Sequence, residues 1–258
     1  MKVLPPGSIL QNMYLKERLQ KNNWHSFLEI GAGNGYLSNI LLQSGMSGVG
    51  CDLNESACAN NKILNEKYLK EAKYSVFNED FLLLNQGKKY DLIISSMVIE
   101  HLPDNILVDF INKSKTQLTE NGSFVCFVPA SMKNWGIEDD IAGHIKRYEF
   151  ADFKAFDTKF QLSVAHIAGL TYPLSNLLLK LSNYLIKKNE SKVLNLSQKE
   201  KTIYTGNRDV AYKTTFPAFL GVFLNEIVMF PLHLIQKIFV KNPNSLVIYC
   251  ELNAKKTN

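Results

Sequence analysis

The sequence predicts an α/β fold with a doubly wound, mainly parallel β-sheet. Short apolar strands alternate with helix-length segments, a glycine-rich turn follows the first strand, and 258 residues suffice for one such domain. A chain that alternates in this way must cross over between successive strands, which produces parallel strands covered on both faces. A second independent domain is not required.

The first elements are an amphipathic helix and a strand that leads into a tight turn. Apolar residues between Ser8 and Gln20 recur at three- and four-residue spacings, which predicts a helix after the turn at Pro5-Pro6-Gly7. Phe27–Ile30 is a short apolar strand, and Gly31-Ala32-Gly33-Asn34-Gly35 follows it directly. A helix over Tyr36–Gln43 completes a strand, turn and helix unit.

The same alternation extends along most of the remaining chain. The predicted strands are 47–52, 74–78, 91–95, 123–129, 161–167 and 245–252, and the predicted helices are 55–70, 105–118 and 149–156. The pattern predicts a single domain over 1–258 with four parts. These are an N-terminal helix (1–25), a core (26–168), a helical cap inserted before the last strand (169–244) and the final strand (245–252).

The composition is that of a soluble globular protein, with 46% apolar and 21% charged residues. Residues 131–258 carry 17 Lys and Arg against 11 Asp and Glu, but the excess is scattered, so a solvated surface is favoured over a nucleic-acid site. The four cysteines lack metal-ligand spacing, and the N-terminus lacks the apolar core of a signal peptide. We therefore expect reduced thiols, a cytoplasmic location and no metal site.

The glycine turn and the strand that follows it predict a nucleotide-like ligand. Glycines allow the backbone to approach a ligand closely, and the next helix presents free N–H groups to it. The spacing of Gly31, Gly33 and Gly35 is G-x-G-x-G, which differs from the G-x-G-x-x-G of dinucleotide sites. Asp52 ends the second strand, where its carboxylate can accept hydrogen bonds from ribose hydroxyls or can cap the next helix, as Asn54 also can.

Five segments of the chain together resemble one enzyme family. LEIGAGNGYLS, GVGCDLN, FNEDFLLL, YDLIISSMVIEHLPD and LTENGSFVCFVPA occur in the order and spacing of class I S-adenosylmethionine-dependent methyltransferases, over about residues 10–167. The resemblance implies a seven-stranded sheet whose last strand is antiparallel. It also implies S-adenosyl-L-methionine as the cofactor and transfer of its methyl group as the activity.

The resemblance assigns the cofactor-binding residues by position in this sequence. Glu29 and the loop of Gly31, Ala32, Gly33, Asn34 and Gly35 would hold the methionine part, Asp52 and Leu53 the ribose, and Asp80 and Phe81 the adenine, with Ser96 facing the methyl donor. Asp80 could equally be a turn residue at the end of a strand.

The segment after the fourth strand indicates the class of acceptor. It has the form E-H-L, which resembles small-molecule O- and C-methyltransferases, and it lacks the Asn/Asp-Pro-Pro-aromatic run of enzymes that methylate nucleobases or glutamine. Glu100 and His101 could deprotonate or orient an acceptor hydroxyl, or could only cap and pack the loop.

A second segment, Gly143-His144-Ile145-Lys146-Arg147-Tyr148, resembles the G-H-x-[RK]-R-Y run of a methyltransferase subgroup often associated with glycan clusters. His144 and Tyr148 are further candidate catalytic residues, and Arg147 and Tyr14 are candidate substrate-binding residues. A structural alternative ties Arg147 to Asp139 or Asp140.

The apolar stretch 216–240 contains two prolines and several polar residues, so we do not expect it to span a bilayer. It could form buried or dimerising helices, cover a lipophilic substrate, or lie on a membrane beside the basic stretch 187–208. The expected partner is therefore an acceptor that is a small molecule or is linked to a lipid or glycan. Peripheral contact with the inner face of the membrane stays open. The expected assembly is a monomer or a homodimer. Two other functions also stay open: a nicotinamide-dependent oxidoreductase and a non-catalytic binding module.

Overall fold

The computed structural model describes residues 3–197, 200–201 and 216–255. The chain divides into two compact units. The sheet unit comprises Leu19–Val128, Phe150–Ile167 and Tyr249–Asn258. The helical unit comprises Met1–Arg18, Pro129–Glu149 and Ala168–Ile248.

Seven strands form one sheet in the order β3-β2-β1-β4-β5-β7-β6. They are β1 (Ser26–Ile30), β2 (Ser47–Cys51), β3 (Tyr74–Phe77), β4 (Tyr90–Ser96), β5 (Leu118–Pro129), β6 (Leu162–Leu170) and β7 (Val247–Ala254). The first five strands are parallel to one another, with Leu28 of β1 aligned between Val49 of β2 and Ile93 of β4. The predicted parallel core is confirmed.

The last strand runs against the others, as the family resemblance implied. Ser123 of β5 bonds the Asn253 side chain, whereas Phe127, four residues later, packs on Tyr249. The residue numbers in β7 decrease as those in β5 increase, so β7 is antiparallel to β5. The predicted α/β fold with a seven-stranded mixed sheet is therefore correct.

The helices of the sheet unit lie between its strands in sequence. They are α2 (Tyr36–Gln43), α3 (Glu55–Leu64), α4 (Glu66–Lys70), α5 (Asp104–Thr116) and α7 (Phe150–Phe160). Apolar side chains of α5 enter the core, where Phe110 contacts Phe124 of β5 edge to face at 6.2 Å between ring centroids. Burial of aromatic side chains of this size is a main source of stability.

One predicted helix is wrong in its extent. Residues 55–70 form two helices, α3 and α4, that break at Asn65. The fully buried Asn65 side chain donates to the carbonyl of Gly35 at 3.1 Å and to that of Asn61 at 3.2 Å. The helical periodicity of the sequence predicted one helix because periodicity carries no information about this tertiary contact with the glycine loop.

The described part of the helical unit contains three whole helices and most of a fourth. The whole helices are α6 (Ile137–Ala142), α8 (Leu174–Glu190) and α9 (Glu226–Ile238), and the fourth is α1 (Pro6–Lys21). Ile9, Leu10 and Met13 of α1 pack with Met229 of α9 in one core cluster. Ile141 of α6 packs with Ile186 of α8 in a second. Helices α8 and α9 lie within the predicted helical cap, and residues 198–199 and 202–208 of the basic stretch 187–208 lie outside the described residues.

Across residues 3–197, 200–201 and 216–255, no helix is both long and apolar enough to cross a bilayer. The four cysteines, Cys51, Cys58, Cys126 and Cys250, are buried and free. Burial raises the pKa of the Cys51 thiol to about 12, so it stays protonated at neutral pH.

Candidate active site

The glycine loop between β1 and α2 adopts a conformation that its sequence requires. Gly31, Gly33 and Gly35 all have positive φ, at 76°, 49° and 81°. A Cβ on Gly31 would lie 2.4 Å from Val98, and one on Gly35 would lie 2.3 Å from the side chain of Asn61. A Cβ on Gly33 would meet no atom within 4 Å, so this side of the loop faces open space. A ligand can approach the backbone there.

Asp52 binds this loop directly. Its Oδ2 accepts the Gly33 N–H at 2.8 Å, and its Oδ1 accepts the Asn54 N–H at 2.8 Å. Asn54, rather than Asp52, caps α3 by accepting the Ala57 N–H at 3.1 Å. The loop and the acidic strand end, which are separated by about twenty positions in sequence, are thus joined by a hydrogen bond. A carboxylate held here can still accept hydrogen bonds from a diol through its remaining lone pairs.

Glu29 lies within β1, two residues before the loop, and is 2% exposed. The Ser38 hydroxyl donates to its carboxylate, and the same hydroxyl contacts the Tyr74 hydroxyl at 2.6 Å. Burial raises the pKa of Glu29 to about 8, and the nearby charge of Asp52 acts in the same direction. The buried acid is therefore mostly protonated at neutral pH in the ligand-free protein.

Asp80 and Phe81 follow β3 at the same sheet edge. Asn78 donates to the Asp52 carbonyl at 3.0 Å, so the end of β3 lies beside the end of β2. Asp80 Oδ1 accepts the Leu82 N–H at 2.8 Å, which is the turn role that the sequence left open. Phe81 packs its ring on Phe110 at 5.1 Å in the core. A contact from Phe81 to a bound base would therefore have to come from its backbone.

The end of β4 bends sharply beside the glycine loop. Ser96 is its last residue, and Met97 follows with φ at 55°, an uncommon conformation for a residue with a side chain. The Met97 N–H still bonds the Phe127 carbonyl at 2.9 Å, and Val98 turns its side chain toward Gly31. The bend therefore keeps its strand pairing while it places Val98 against the loop.

Glu100 and His101 lie on a single 3₁₀ turn, Ile99–His101, between this bend and α5. Glu100 is 1% exposed, whereas His101 is partly exposed. Burial raises the pKa of the Cys126 thiol in β5, and the negative charge of Glu100 raises this pKa further. The Glu100 carboxylate therefore lies near β5. Both candidate residues belong to the sheet unit, together with all the candidate cofactor-binding residues.

His144, Arg147 and Tyr148 belong to the helical unit, where the first two meet on one buried acid. Asp139 Oδ1 accepts His144 Nδ1 at 2.7 Å and Arg147 Nε at 2.7 Å. Arg147 also donates to the Ala130 carbonyl at 3.0 Å. The ion pair that the sequence offered as a structural alternative for Arg147 is therefore present, with Asp139 as the partner.

Burial raises the pKa of the Asp139 carboxyl, but the hydrogen bonds from His144 and Arg147 outweigh that effect and hold its pKa below the usual range. Tyr148 is fully buried, with the Lys146 ammonium 4.4 Å from its ring centroid. Tyr14 is buried on α1 and packs edge to face with His233.

The comparisons with known proteins agree with this geometry. Residues 28–124, which contain the glycine loop, Asp52, Asp80 and Glu100, match the family model described as a methyltransferase domain. This matched part, which is less than half of the chain, is therefore similar to class I S-adenosylmethionine-dependent methyltransferase domains. In this class of domain the methyl donor is S-adenosylmethionine.

Two curated relatives are similar to part of this chain. Both are named ubiquinone biosynthesis O-methyltransferase: one from Bartonella tribocorum, 29% identical over 158 residues and 56% of this chain, and one from Pelagibacter ubique, 30% identical over 110 residues and 42% of this chain. The matches cover 63% and 44% of those relatives. The chain thus spans less than two thirds of the length of each.

Solved structures show the same fold at low sequence identity. The methyltransferase domain of bacterial CtHen1 superposes with a TM-score of 0.52 at 18% identity, over 64% of this chain and 90% of that one. Magnesium protoporphyrin IX methyltransferase from Synechocystis gives 0.51 at 17% identity, over 64% and 74%. These similarities support the methyltransferase fold alone.

Sequence analysis did not identify three residues around the site. Ser38 and Tyr74 bind or support Glu29, and Asn65 binds the glycine loop, yet each occurs in an ordinary helix or strand segment. A polar residue on the inward face of an apolar element was the available sign, because such residues need a partner when they are buried.

Proposed function

We propose that this protein transfers the methyl group of S-adenosylmethionine to a hydroxyl oxygen of a small, partly apolar acceptor. The observation that carries the proposal is the hydrogen bond between Asp52 and the Gly33 N–H, with the open side of Gly33 next to it. A carboxylate and a bare backbone at the carboxyl edge of a parallel sheet suit a nucleoside ligand. Oxygen is proposed because both curated relatives are named O-methyltransferases.

The residues present fit the cofactor, and we assign them accordingly. Glu29 and the loop from Gly31 to Gly35 would bind the methionine part, since a buried acid suits the positively charged amino group. Asp52 and Leu53 would bind the ribose, Asp80 and the Phe81 backbone the adenine, and Ser96 would line the methyl side. When bound, the cofactor supplies a methyl group that is already activated by its sulfonium.

The acceptor side needs residues that orient a hydroxyl and receive its proton. We propose Glu100 and His101 for these roles in the sheet unit, with His144 and Tyr148 as further candidates in the helical unit. Asp139 would hold His144 with Nδ1 protonated, which leaves Nε2 as the basic nitrogen. Arg147 and Tyr14 are the proposed acceptor-binding residues, and a glycan- or lipid-linked acceptor would suit the G-H-x-K-R-Y segment.

Calorimetric titration with S-adenosylhomocysteine tests the cofactor site. We expect binding by the wild type and a loss of about tenfold to hundredfold in affinity for Asp52→Ala, because hydrogen bonds to a charged group contribute about 1.5–3 kcal/mol each. Asp109→Ala is the matched control, since Asp109 is an exposed carboxylate on α5 of the same unit. No binding by the folded wild type would end the proposal.

The two other functions are not favoured by the comparisons, and simple measurements distinguish them. A nicotinamide-dependent oxidoreductase would be stabilised against heat by NAD or NADP instead of S-adenosylhomocysteine. A non-catalytic binding module would bind the cofactor but methylate no acceptor in a panel of hydroxylated quinone precursors and glycans.

A further inference from the structure

Helix α9 exposes an apolar face, while its inward side carries the buried polar residues His233 and Gln236 beside Met229. Ile227, Phe230, Leu234 and Ile238 are spaced by three or four residues, so they share one side of the helix. All four are exposed, with Ile227 and Ile238 at 87% and 77%. We call these four side chains the apolar face. A helix at the surface of a globular unit normally exposes its polar face.

The opposite side of α9 fixes this orientation through buried polar contacts. His233 is 1% exposed and bonds Glu17 of α1 through Nε2 at 2.7 Å. The fully buried Gln236 donates to the Leu10 carbonyl at 3.0 Å and accepts the Thr171 N–H at 3.0 Å. Rolling the helix to hide its apolar face would break all three bonds and leave buried polar groups without partners. The outward orientation is therefore built into the helical unit.

The segment just before α9 enlarges the apolar face. A 3₁₀ turn at Ala218–Val222 leads to the cap at Asn225. Three more large apolar side chains are exposed there, namely Phe219, Val222 and Phe223. With Val228 and Ile235, nine large apolar side chains are exposed within twenty residues, which is more than isolated surface residues explain, and a patch of this kind marks an interaction site.

The charge of the surrounding chain indicates what covers the face. Between residues 168 and 248, the part of the chain that the structure describes contains seven lysines against three glutamates. Two acids at α9 form ion pairs: Glu226 with Lys16 at 2.6 Å, and Glu17 of α1 with Lys237 at 2.8 Å. Lys241, beyond the end of the helix, is exposed. An apolar face in a basic surrounding is complementary to an anionic lipid surface. A second copy of the chain would bring the same positive charge.

We propose that α9 docks on the surface of an anionic lipid bilayer, with its axis in the membrane plane and its apolar face inserted among the acyl chains. Its 13 residues are about 20 Å long, too short to span a bilayer but sufficient for interfacial binding. Docking does not require the methyl transfer proposed above, so either can fail alone. It would present the protein to acceptors dissolved in lipid.

Co-sedimentation of the full chain with vesicles tests this proposal. We expect binding to phosphatidylcholine vesicles that contain phosphatidylglycerol, weaker binding at high salt, and little binding to phosphatidylcholine alone. Ile238→Glu should lower the partition coefficient about tenfold or more. Ile63→Glu is the matched control, because Ile63 on α3 is 76% exposed, and it should bind like the wild type.

Three outcomes would overturn membrane docking. The first is no sedimentation with either vesicle, and the second is an equal loss of binding in Ile63→Glu. The third is a wild-type dimer in sedimentation equilibrium that Ile238→Glu converts to a monomer without any vesicle binding, which would assign the apolar face to a second copy. Retained S-adenosylhomocysteine binding by Ile238→Glu would show that the cofactor site is independent of these results.

Discussion

Glu29→Gln should remove a pH-dependent loss of stability from this protein. Burial raises the pKa of Glu29 from an ordinary value of 4.5 to about 8. Between these two values the folded state holds a proton that the unfolded state has released, so stability falls as the pH rises from about 4.5 to 8. The difference amounts to about 5 kcal/mol if the whole shift is expressed. Glutamine is uncharged at every pH and escapes this loss.

Urea denaturation of both proteins between pH 5 and pH 9 measures the effect. The free energy of unfolding of the wild type should fall relative to Glu29→Gln by several kcal/mol across this range. Glu55→Gln, which changes an exposed glutamate of α3, should follow the wild type. If the difference between wild type and Glu29→Gln is the same at pH 5 and pH 9, the buried acid does not titrate as its burial implies.

The same acid predicts proton release on cofactor binding. The amino and sulfonium groups of S-adenosylmethionine are positive, and a positive charge beside Glu29 would favour its carboxylate form. Titrations near pH 7 in phosphate and in Tris, whose protonation enthalpies differ, should give binding enthalpies that differ accordingly. Equal enthalpies in the two buffers would contradict the proposed place of Glu29 beside the cofactor.

Two further substitutions test other parts of the structure. Gly35→Ala should destabilise the protein by about 2 kcal/mol or more in urea denaturation, because it combines a positive φ with a Cβ 2.3 Å from Asn61. Gly45→Ala, with φ at 94° but open space around it, should cost less, and equal losses would contradict the clash. Asp139→Asn should destabilise the protein by about 3 kcal/mol, because it leaves the buried Arg147 without its counter-charge. This loss should become smaller at low pH, because the wild-type carboxyl is itself protonated below its lowered pKa. Asp140→Asn is its exposed control, and an equal loss there would count against the ion pair.

The sequence alone determined much of the sheet and of the candidate cofactor site. Apolar strands, glycine positions and strand-end acids are local features, and parallel strands carry their carboxyl ends to one edge. Asp52 could therefore be expected near the loop at Gly31–Gly35, and the hydrogen bond to Gly33 agrees. Seven strands, including an antiparallel last one, followed from the family resemblance.

Only the tertiary structure decided which buried polar groups meet. Asn65 ends a helix because it reaches the glycine loop, and Asp139 holds His144 and Arg147 together. In the same way, Gln236 anchors α9 so that its apolar face points outward. Periodicity reports which side chains are apolar, but it does not report partners that are distant in sequence. A few buried hydrogen bonds, each costly to leave unmade, can therefore override the orientation that hydrophobicity alone would choose.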